Sequence, residues 1–261
     1  PLQAMMAAAQ KDHGWSLPGL MTDMARLSFG TGKISSEEYF DLRLFDEQGL
    51  AGASKHEFLG MRGCKWLGHQ SNRNEHWYAV VGNKLVFDTL MAGFGLPTIR
   101  SRAYYHPTAR LPALGMLRGV EDISTFLRRD GVLPLFGKPV NGSLSLGSIA
   151  IDGYDRKSDR LRLTGGRIAS PQQLAEEIVA TYPRGYLFQE QLVPHLAVSA
   201  LIGERIGTVR VYTFWEDFRP KVVRACWKMP TGHHRADNFW RTGNMLAAFD
   251  IDSGEILRVI R

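Results

Sequence analysis

Cysteine is scarce in this sequence, with Cys64 and Cys226 the only two among 261 residues. They lack the spacing of a zinc site, and two cysteines cannot build the disulfide framework of a small secreted domain. We therefore expect both to be buried small side chains in a reducing environment. The opening Pro1-Leu2-Gln3 does not resemble a signal peptide, and no run of about 18 apolar residues is present to span a bilayer. These absences predict a soluble, cytoplasmic protein without an integral membrane segment.

Several functional signatures are also missing. No stretch alternates basic with aromatic residues, so nucleic acid is not an expected partner. Gly30-Thr31-Gly32-Lys33 resembles the tail of a phosphate-binding P-loop, but Leu27 replaces its first glycine and no strand precedes it, which favours a loop before a helix. A nucleophile elbow, which would indicate a serine hydrolase, is absent as well. The composition is that of a globular protein, and a formal net charge of +6 favours anionic partners without choosing among them.

Helical signals dominate the first half of the chain. Residues 3–45 favour helix in pieces, and Ser35-Ser36-Glu37-Glu38 predicts a capping box at a helix start. The run 76–81 has strand character. Next, an apolar face predicts a helix that Gly95 and Pro97 end. That face consists of Val86, Leu90, Met91 and Phe94.

Strand signals dominate the second half of the chain. Residues 132–140 and 148–151 are predicted strands joined by a flexible loop. Ser170-Pro171-Gln172-Gln173 opens a predicted helix that ends near Tyr182. Further strands are predicted at 186–191, at 207–215 and 221–229 as a hairpin, and at 245–251 and 255–260 across a turn. Helices first, then strands with interspersed helices, predict an α+β chain with several subdomains.

The most informative segment begins at Lys138 and ends at Gly147. A predicted strand ends at the lysine, and a loop with glycines and serines follows. Such a loop can present backbone N–H groups and hydroxyls to an anion, and the lysine adds a positive charge for the same phosphates. The alternative is a surface hairpin with a solvated lysine.

Five stretches of sequence, taken in order, extend this interpretation. They are KISSEEYFDLRLFD (33–46), GKPVNGSLSLG (137–147), LFQEQLVPH (187–195), TVRVYT (208–213) and ADNFWRTGN (236–244). Together they resemble the ATP-grasp superfamily, in its branch of sugar-transfer-associated and α-L-glutamate ligase-like proteins. The resemblance covers roughly residues 30–261.

The resemblance implies a fold in which two α+β subdomains hold the nucleotide between them. It implies a helical N-terminal region (1–75), an N-terminal subdomain (76–130), a central lid subdomain with the phosphate loop (131–191) and a C-terminal subdomain (192–261). In ligases of this family an acid and a Glu-x-Asn motif hold Mg²⁺, and this sequence contains no such motif before Arg261. Its metal ligands therefore stay unassigned, and we expect the full protein to continue. Asp250 and Asp252 are expected to be turn carboxylates.

The resemblance also implies roles for single residues. Lys84 and Lys138 match the two lysines that hold the phosphates of ATP, and Arg210 matches an arginine near the γ-phosphate. Asn238 and Arg241 match a late polar motif of the same cleft. The loop that closes over the phosphates is matched by Asn141, Gly142, Ser143, Ser145 and Gly147. The segment whose backbone reads the adenine edge is matched by Glu190, Gln191 and Leu192.

Each of these residues also has a purely structural interpretation. Lys84 could be a solvated residue at a helix start, Arg210 the exposed side of a strand, and Glu190 an edge-strand charge. The expected function is an ATP- and Mg²⁺-dependent ligase that activates a carboxylate as an acyl phosphate for capture by an amine, with a carboxylate and an amine or sugar as substrates. The alternatives are a non-catalytic ATP-binding regulator or scaffold, and a kinase on the same fold.

Overall fold

A computed structural model of the protein describes residues 2–50, 52–72, 75–109, 115–143, 145–231, 237 and 243–260. The chain forms two compact units, Pro1–Tyr78 and Ala79–Arg261. In the part of the chain that is described, no helix is long and apolar enough to cross a membrane.

The first unit is helical. Its helices are α1 (Leu2–His13), α2 (Leu17–Phe29), α3 (Ser36–Asp41) and α4 (Met61–Ser71), with 3-10 turns at Lys55–Glu57 and Glu75–Trp77. The predicted capping box is confirmed, since Ser35 Oγ accepts a hydrogen bond from Glu38 N–H while the Glu38 carboxylate accepts one from Ser35 N–H. The segment from Gly30 to Gly32 is a turn before α3, as expected.

A small apolar core with one buried carboxylate holds this unit together. The core residues are Ala9, Leu20, Leu27, Ile34, Tyr39, Phe40 and Leu44. Asp23 is 8% exposed, and its Oδ2 accepts hydrogen bonds from Tyr39 Oη and from Lys55 Nζ, each at 2.8 Å. The buried charge therefore has both a hydrogen-bond donor and a counter-ion.

The second unit combines helices and strands, which confirms the α+β class. Its helices are α5 (Tyr78–Gly82, which begins on the last residue of the first unit), α6 (Lys84–Gly93), α7 (Val120–Leu127), α8 (Pro171–Thr181) and α9 (Leu196–Ile202). The strands of its first sheet are β1 (Ser101–Tyr105), β2 (Gly115–Leu117), β3 (Leu135–Pro139), β4 (Ile149–Asp155), β5 (Arg160–Leu163), β6 (Ile168–Ala169) and β7 (Tyr186–Glu190). Those of its second sheet are β8 (Thr208–Glu216), β9 (Arg219–Met229), β10 (Met245–Phe249) and β11 (Ile256–Ile260).

The first sheet has the order β2-β1-β7-β3-β4-β5-β6 and is antiparallel except for the β1–β2 pair. One face carries the main core, to which α7 and α8 contribute Ile123, Phe126, Leu174 and Ile178. On the opposite face Leu85 of α6 packs with Tyr104, Val140 and Leu187. The two strands predicted on either side of the 141–147 loop are confirmed as β3 and β4, and they pair with each other.

The second sheet is antiparallel in the order β11-β10-β9-β8. The predicted hairpin of β8 and β9 and the predicted pairing of β10 with β11 are both confirmed. Ile202 of α9 packs with Met229 and Ala247 over part of one face.

One local prediction is wrong. The run 76–81 contains no strand, because the chain forms a 3-10 turn and then α5 there. Periodicity alone cannot distinguish a short apolar run in a strand from one in a helix. The helix predicted to end at Gly95 and Pro97 is confirmed as α6, in which Leu85 is the buried residue while Val86 is 45% exposed.

Candidate functional site

Lys138 lies inside strand β3, one residue before the strand ends, and not in the loop that follows. It is directly opposite Leu187 in the β3–β7 ladder, so its side chain shares the sheet face on which α6 packs. The side chain is half-buried. Burial lowers the pKa of Lys138, with the negative charge of Asp88 opposing and the positive charge of Lys84 reinforcing that shift. Of the alternative interpretation, the hairpin is present because β3 pairs with β4, while the sheet partly desolvates the Lys138 ammonium group.

Lys84 begins helix α6 and reaches the same place. Asn83 caps the helix by accepting hydrogen bonds from the N–H groups of Leu85 and Val86. The Lys84 backbone N–H donates to Val140 O at 3.2 Å, and its Nζ donates to Gly142 O at 2.7 Å and to Val140 O at 3.4 Å. The pKa of Lys84 is lowered by burial, and Asp88 opposes this shift. An ammonium group has three donors, so a third remains for another acceptor.

Asp88 and Gln189 complete this cluster, and the sequence did not single out either. Asp88 lies one helical turn after Lys84, and its Oδ2 accepts a hydrogen bond of 2.7 Å from Gln189 Nε2. Gln189 is 1% exposed, and its Oε1 is buried without a hydrogen-bond partner among the described residues. The i, i+4 spacing of Lys84 and Asp88 was the one sequence signal that could have found the carboxylate.

The 141–147 loop is fixed at both ends. Gly142 O accepts from Lys84 Nζ, and Gly147 O accepts a hydrogen bond of 2.8 Å from Tyr186 Oη. Gly147 has φ +73°, and a Cβ there would overlap the phenol of Tyr182. Glycine is therefore required at position 147, both by the positive φ and by the contact with Tyr182. The side chains that the sequence assigned to phosphate contact at Asn141 and Ser143 are exposed, while Ser145 has a positive φ of 56° and is half-buried.

The segment expected to read adenine lies at the end of β7. The Glu190 backbone N–H donates to Arg100 O at 3.0 Å, and its carboxylate Oε1 is 3.1 Å from Arg102 Nε. Glu190 is thus engaged within the sheet by both its backbone and its carboxylate. Gln191 Nε2 donates to Asp152 Oδ1 at 3.4 Å, while its Oε1 is buried without a partner among the described residues.

Leu192 lines an open groove whose other walls come from α6 and the chain that follows it. The lining residues are Phe87, Asp88, Met91, Leu96, Pro97, Thr98, Ile99 and Leu192. The walls are mostly apolar, and Asp88 connects this groove to the lysine cluster. A ligand with a flat apolar group attached to an anionic group could place the first against the groove walls and the second at the lysines.

The remaining predicted residues are not joined to this cluster. Arg210 is exposed on strand β8 of the second sheet, and no hydrogen bond or ion pair of the described residues links it to Lys84 or Lys138. Asn238 and Arg241 lie outside the described residues.

Asp250 is a turn carboxylate, as expected. Its Oδ1 accepts hydrogen bonds from the N–H groups of Asp252 and Ser253 and from Ser253 Oγ, which lowers its pKa. The residues that the structure describes contain no group of three or more His, Cys, Asp or Glu side chains that could hold a metal ion. Cys226 is buried, but the expectation for Cys64 is wrong because its helix α4 leaves it exposed.

The chain is a mixed α+β protein in which Lys84 of α6 and Lys138 of β3, both half-buried, lie near a glycine-containing loop and an apolar groove. Comparison with protein-family models, with curated proteins and with solved structures gives no match to this chain.

Proposed function

We propose that Lys84 and Lys138 bind the phosphates of ATP, and that the protein is an ATP-dependent ligase of the ATP-grasp type. The observation that carries the proposal is the placement of the two lysines. Lys84 Nζ donates to Val140 O and Gly142 O just after β3, the strand in which Lys138 lies half-buried, and burial lowers the pKa of both ammonium groups. Lys138 Nζ has no hydrogen-bond acceptor among the described residues. A phosphate oxygen would supply that acceptor and the missing negative charge.

The groove beside the cluster supports a nucleotide over a simple phosphate ion. Its apolar walls at Phe87, Met91 and Leu192 suit a purine face. An adenine base against these walls and phosphates at the lysines would use the groove and the two ammonium groups together.

In the proposed reaction a substrate carboxylate oxygen attacks the γ-phosphorus, the bond to the β,γ-bridging oxygen breaks, and ADP leaves. An amine then attacks the acyl phosphate carbon, loses a proton, and expels inorganic phosphate. The lysines neutralise charge on the phosphates and position them, which is most of what phosphoryl transfer requires of a protein.

The first test is calorimetric titration of the full chain with Mg-ATP. Replacing Lys138 with methionine keeps the length of the side chain but removes its charge, and we expect the affinity to fall about 10- to 100-fold, the value of one charge-assisted hydrogen bond. Lys157→Met is the matched control because Lys157 is an exposed lysine in the turn between β4 and β5. Equal affinities of wild type and Lys138→Met would contradict the assignment of Lys138.

The second test separates the ligase from its alternatives by ADP release across carboxylates and amines. A ligase releases ADP and phosphate only when both substrates are present. A kinase releases ADP with one substrate and leaves a stable phosphorylated product. A binding protein without activity retains its affinity for ATP and releases no ADP in any combination.

A further inference from the structure

One face of the second sheet gathers much of the chain's positive charge. We call it the basic face and define it by register, because residues directly opposite each other in a sheet point to the same side. Arg210, Cys226, Ala248 and Arg258 form one row across all four strands. The next rows pair Tyr212 with Arg224, Phe214 with Lys221, and Glu216 with Arg219, and Thr208 is opposite Lys228.

The charge on this face is unbalanced. Its strands carry six basic side chains, Arg210, Arg219, Lys221, Arg224, Lys228 and Arg258, and one acidic side chain, Glu216. The whole chain has a formal net charge of only +6. A solvated sheet face with an average mixture of acidic and basic residues would not carry an excess of positive charge close to that of the whole chain.

Three arginines of the basic face have no counter-ion among the residues that the structure describes. Lys221 pairs with Glu216 at 3.1 Å and Lys228 with Asp237 at 3.5 Å. In contrast, no described residue forms an ion pair or side-chain hydrogen bond with Arg210, Arg224 or Arg258, and all three are exposed. Planar guanidinium groups without partners are available to bind phosphate oxygens in a bidentate manner.

Two aromatic rings lie among these cations. Tyr212 and Phe214 are 46% and 55% exposed and are two residues apart on the same face of β8, which places them about 7 Å apart along the strand. Each ring has a basic residue directly across on β9. The opposite face of the hairpin differs, because its exposed residues Val209, Val211 and Trp215 are not interleaved with cations.

We propose that the basic face binds single-stranded nucleic acid, with Tyr212 and Phe214 stacking on bases and Arg210, Arg224 and Arg258 contacting phosphates. Rings that stack on bases and cations that follow a backbone are the two components of single-strand recognition on β-sheets. A duplex keeps its base faces stacked inside and could not use the rings. This site lies on the second sheet, and no hydrogen bond or ion pair of the described residues joins it to the lysine cluster on the first.

The test measures fluorescence anisotropy of a labelled 12-nucleotide single-stranded RNA of mixed sequence with the full chain, without ATP, over a range of salt concentrations. For the double variant Arg224→Ala/Arg258→Ala we expect at least a tenfold loss of affinity and a decrease of roughly 1.4 in the slope of log affinity against log salt, the value for two single-strand phosphate contacts. The matched control is Arg129→Ala, which removes an exposed arginine after α7. It should change the affinity less than twofold.

The aromatic variants distinguish stacking from nonspecific attraction of a polyanion. Tyr212→Ala and Phe214→Ala should each weaken RNA binding about tenfold, whereas Tyr212→Trp, which keeps a ring, should restore it. The arginine variants change exposed positions only, so they test the proposal even if an aromatic variant fails to fold.

Three results would overturn the proposal: unchanged affinity in the arginine double variant, equal binding of a duplex of the same sequence, or equal competition by heparin together with unaffected aromatic variants. Lys138→Met should bind the RNA like wild type, so failure of the ATP assignment and failure of this one are distinguishable.

Discussion

Both units of this protein contain a charged side chain that is at least partly removed from water, and the two side chains differ in their contacts. In the first unit the Asp23 carboxylate accepts hydrogen bonds of 2.8 Å from Tyr39 Oη and Lys55 Nζ. In the second unit Lys138 has no such contact among the described residues, and its nearest sources of charge act only through space. The Asp23 carboxylate is therefore paired within the protein, whereas the Lys138 ammonium group has no partner among the described residues.

A charged group with its partners in place supports the fold, whereas a partly buried charged group without a partner is available to bind a ligand. A buried ion with its partners in place has its desolvation offset inside the protein, and removing one partner is strongly destabilising. A partly buried ammonium group without a contact partner weakens the fold, and its desolvation is offset only when an anion binds. The following substitutions test this comparison, in order of decreasing effect.

Asp23→Ala should be the most damaging change. It leaves Lys55 and Tyr39 without their common acceptor, and we expect a loss of about 3 kcal/mol in the free energy of unfolding of the first unit. Urea denaturation followed by circular dichroism measures the change. Asp12→Ala, at an exposed position of α1, is the control and should be nearly neutral. If the two variants had the same stability, the Asp23 network would not support the fold.

Gly147→Ala should lower the stability of the second unit by roughly 2 kcal/mol, because it combines a positive φ with an overlap on Tyr182. Gly165→Ala is a matched control, since Gly165 has the same φ of +73° and a Cβ added there would have no atom within 4 Å. The difference between their unfolding free energies isolates the Tyr182 contact. Equal losses would show that this contact does not anchor the loop.

Lys138→Met should shift the second unit in the opposite direction. Removing a partly desolvated charge should raise the Tm by about 2 °C while ATP affinity falls. The sign of the pH dependence follows from the lowered pKa: between that pKa and 10.5 the unfolded chain binds more protons, so wild-type stability rises with pH in that interval. The variant should show a smaller rise, because only Lys84, whose pKa burial also lowers, still contributes to it. A lower Tm in Lys138→Met, measured by calorimetry, would mean that Lys138 supports the fold.

The smallest expected effect concerns the pH dependence of binding. Phosphate binding requires protonated Lys138, so ATP affinity should begin to fall below the pH at which an exposed lysine titrates. An arginine at 138 keeps its charge at alkaline pH, so the affinity of Lys138→Arg should decline less between about pH 8 and pH 10. Parallel affinity profiles for the two proteins would assign the titration to another group.

Local signals predicted those elements that depend on near neighbours in sequence. The capping boxes at Ser35 and Ser170 are both present, because each is a contact between residues three apart. The β8–β9 hairpin follows from strand runs on either side of a short turn. The run 76–81 was misassigned because a short apolar segment leaves the choice of strand or helix to its surroundings.

The candidate site residues could be predicted only in part, because some of their contacts join distant parts of the chain. Lys84 and Lys138 were identified through the ordered resemblance, but Gln189 carried no local signal, and its role depends on Asp88 approaching from a distant helix. The basic face was missed because its basic and aromatic residues alternate across strands. A linear search for a basic and aromatic stripe cannot detect a pair such as Tyr212 and Arg224, which only the register brings together.

By itself, the sequence determined the α+β class, the helix caps, the hairpins and the net positive charge, because these depend on composition and on short-range hydrogen bonding. Tertiary structure alone decided which charges lose their water and which meet a partner. Lys138 is half-buried because β3 lies inside a sheet beneath α6, and Arg210 is exposed because β8 lies at the edge of another. Desolvation and charge pairing depend on surroundings that come from distant parts of the chain, and no local pattern of residues encodes them.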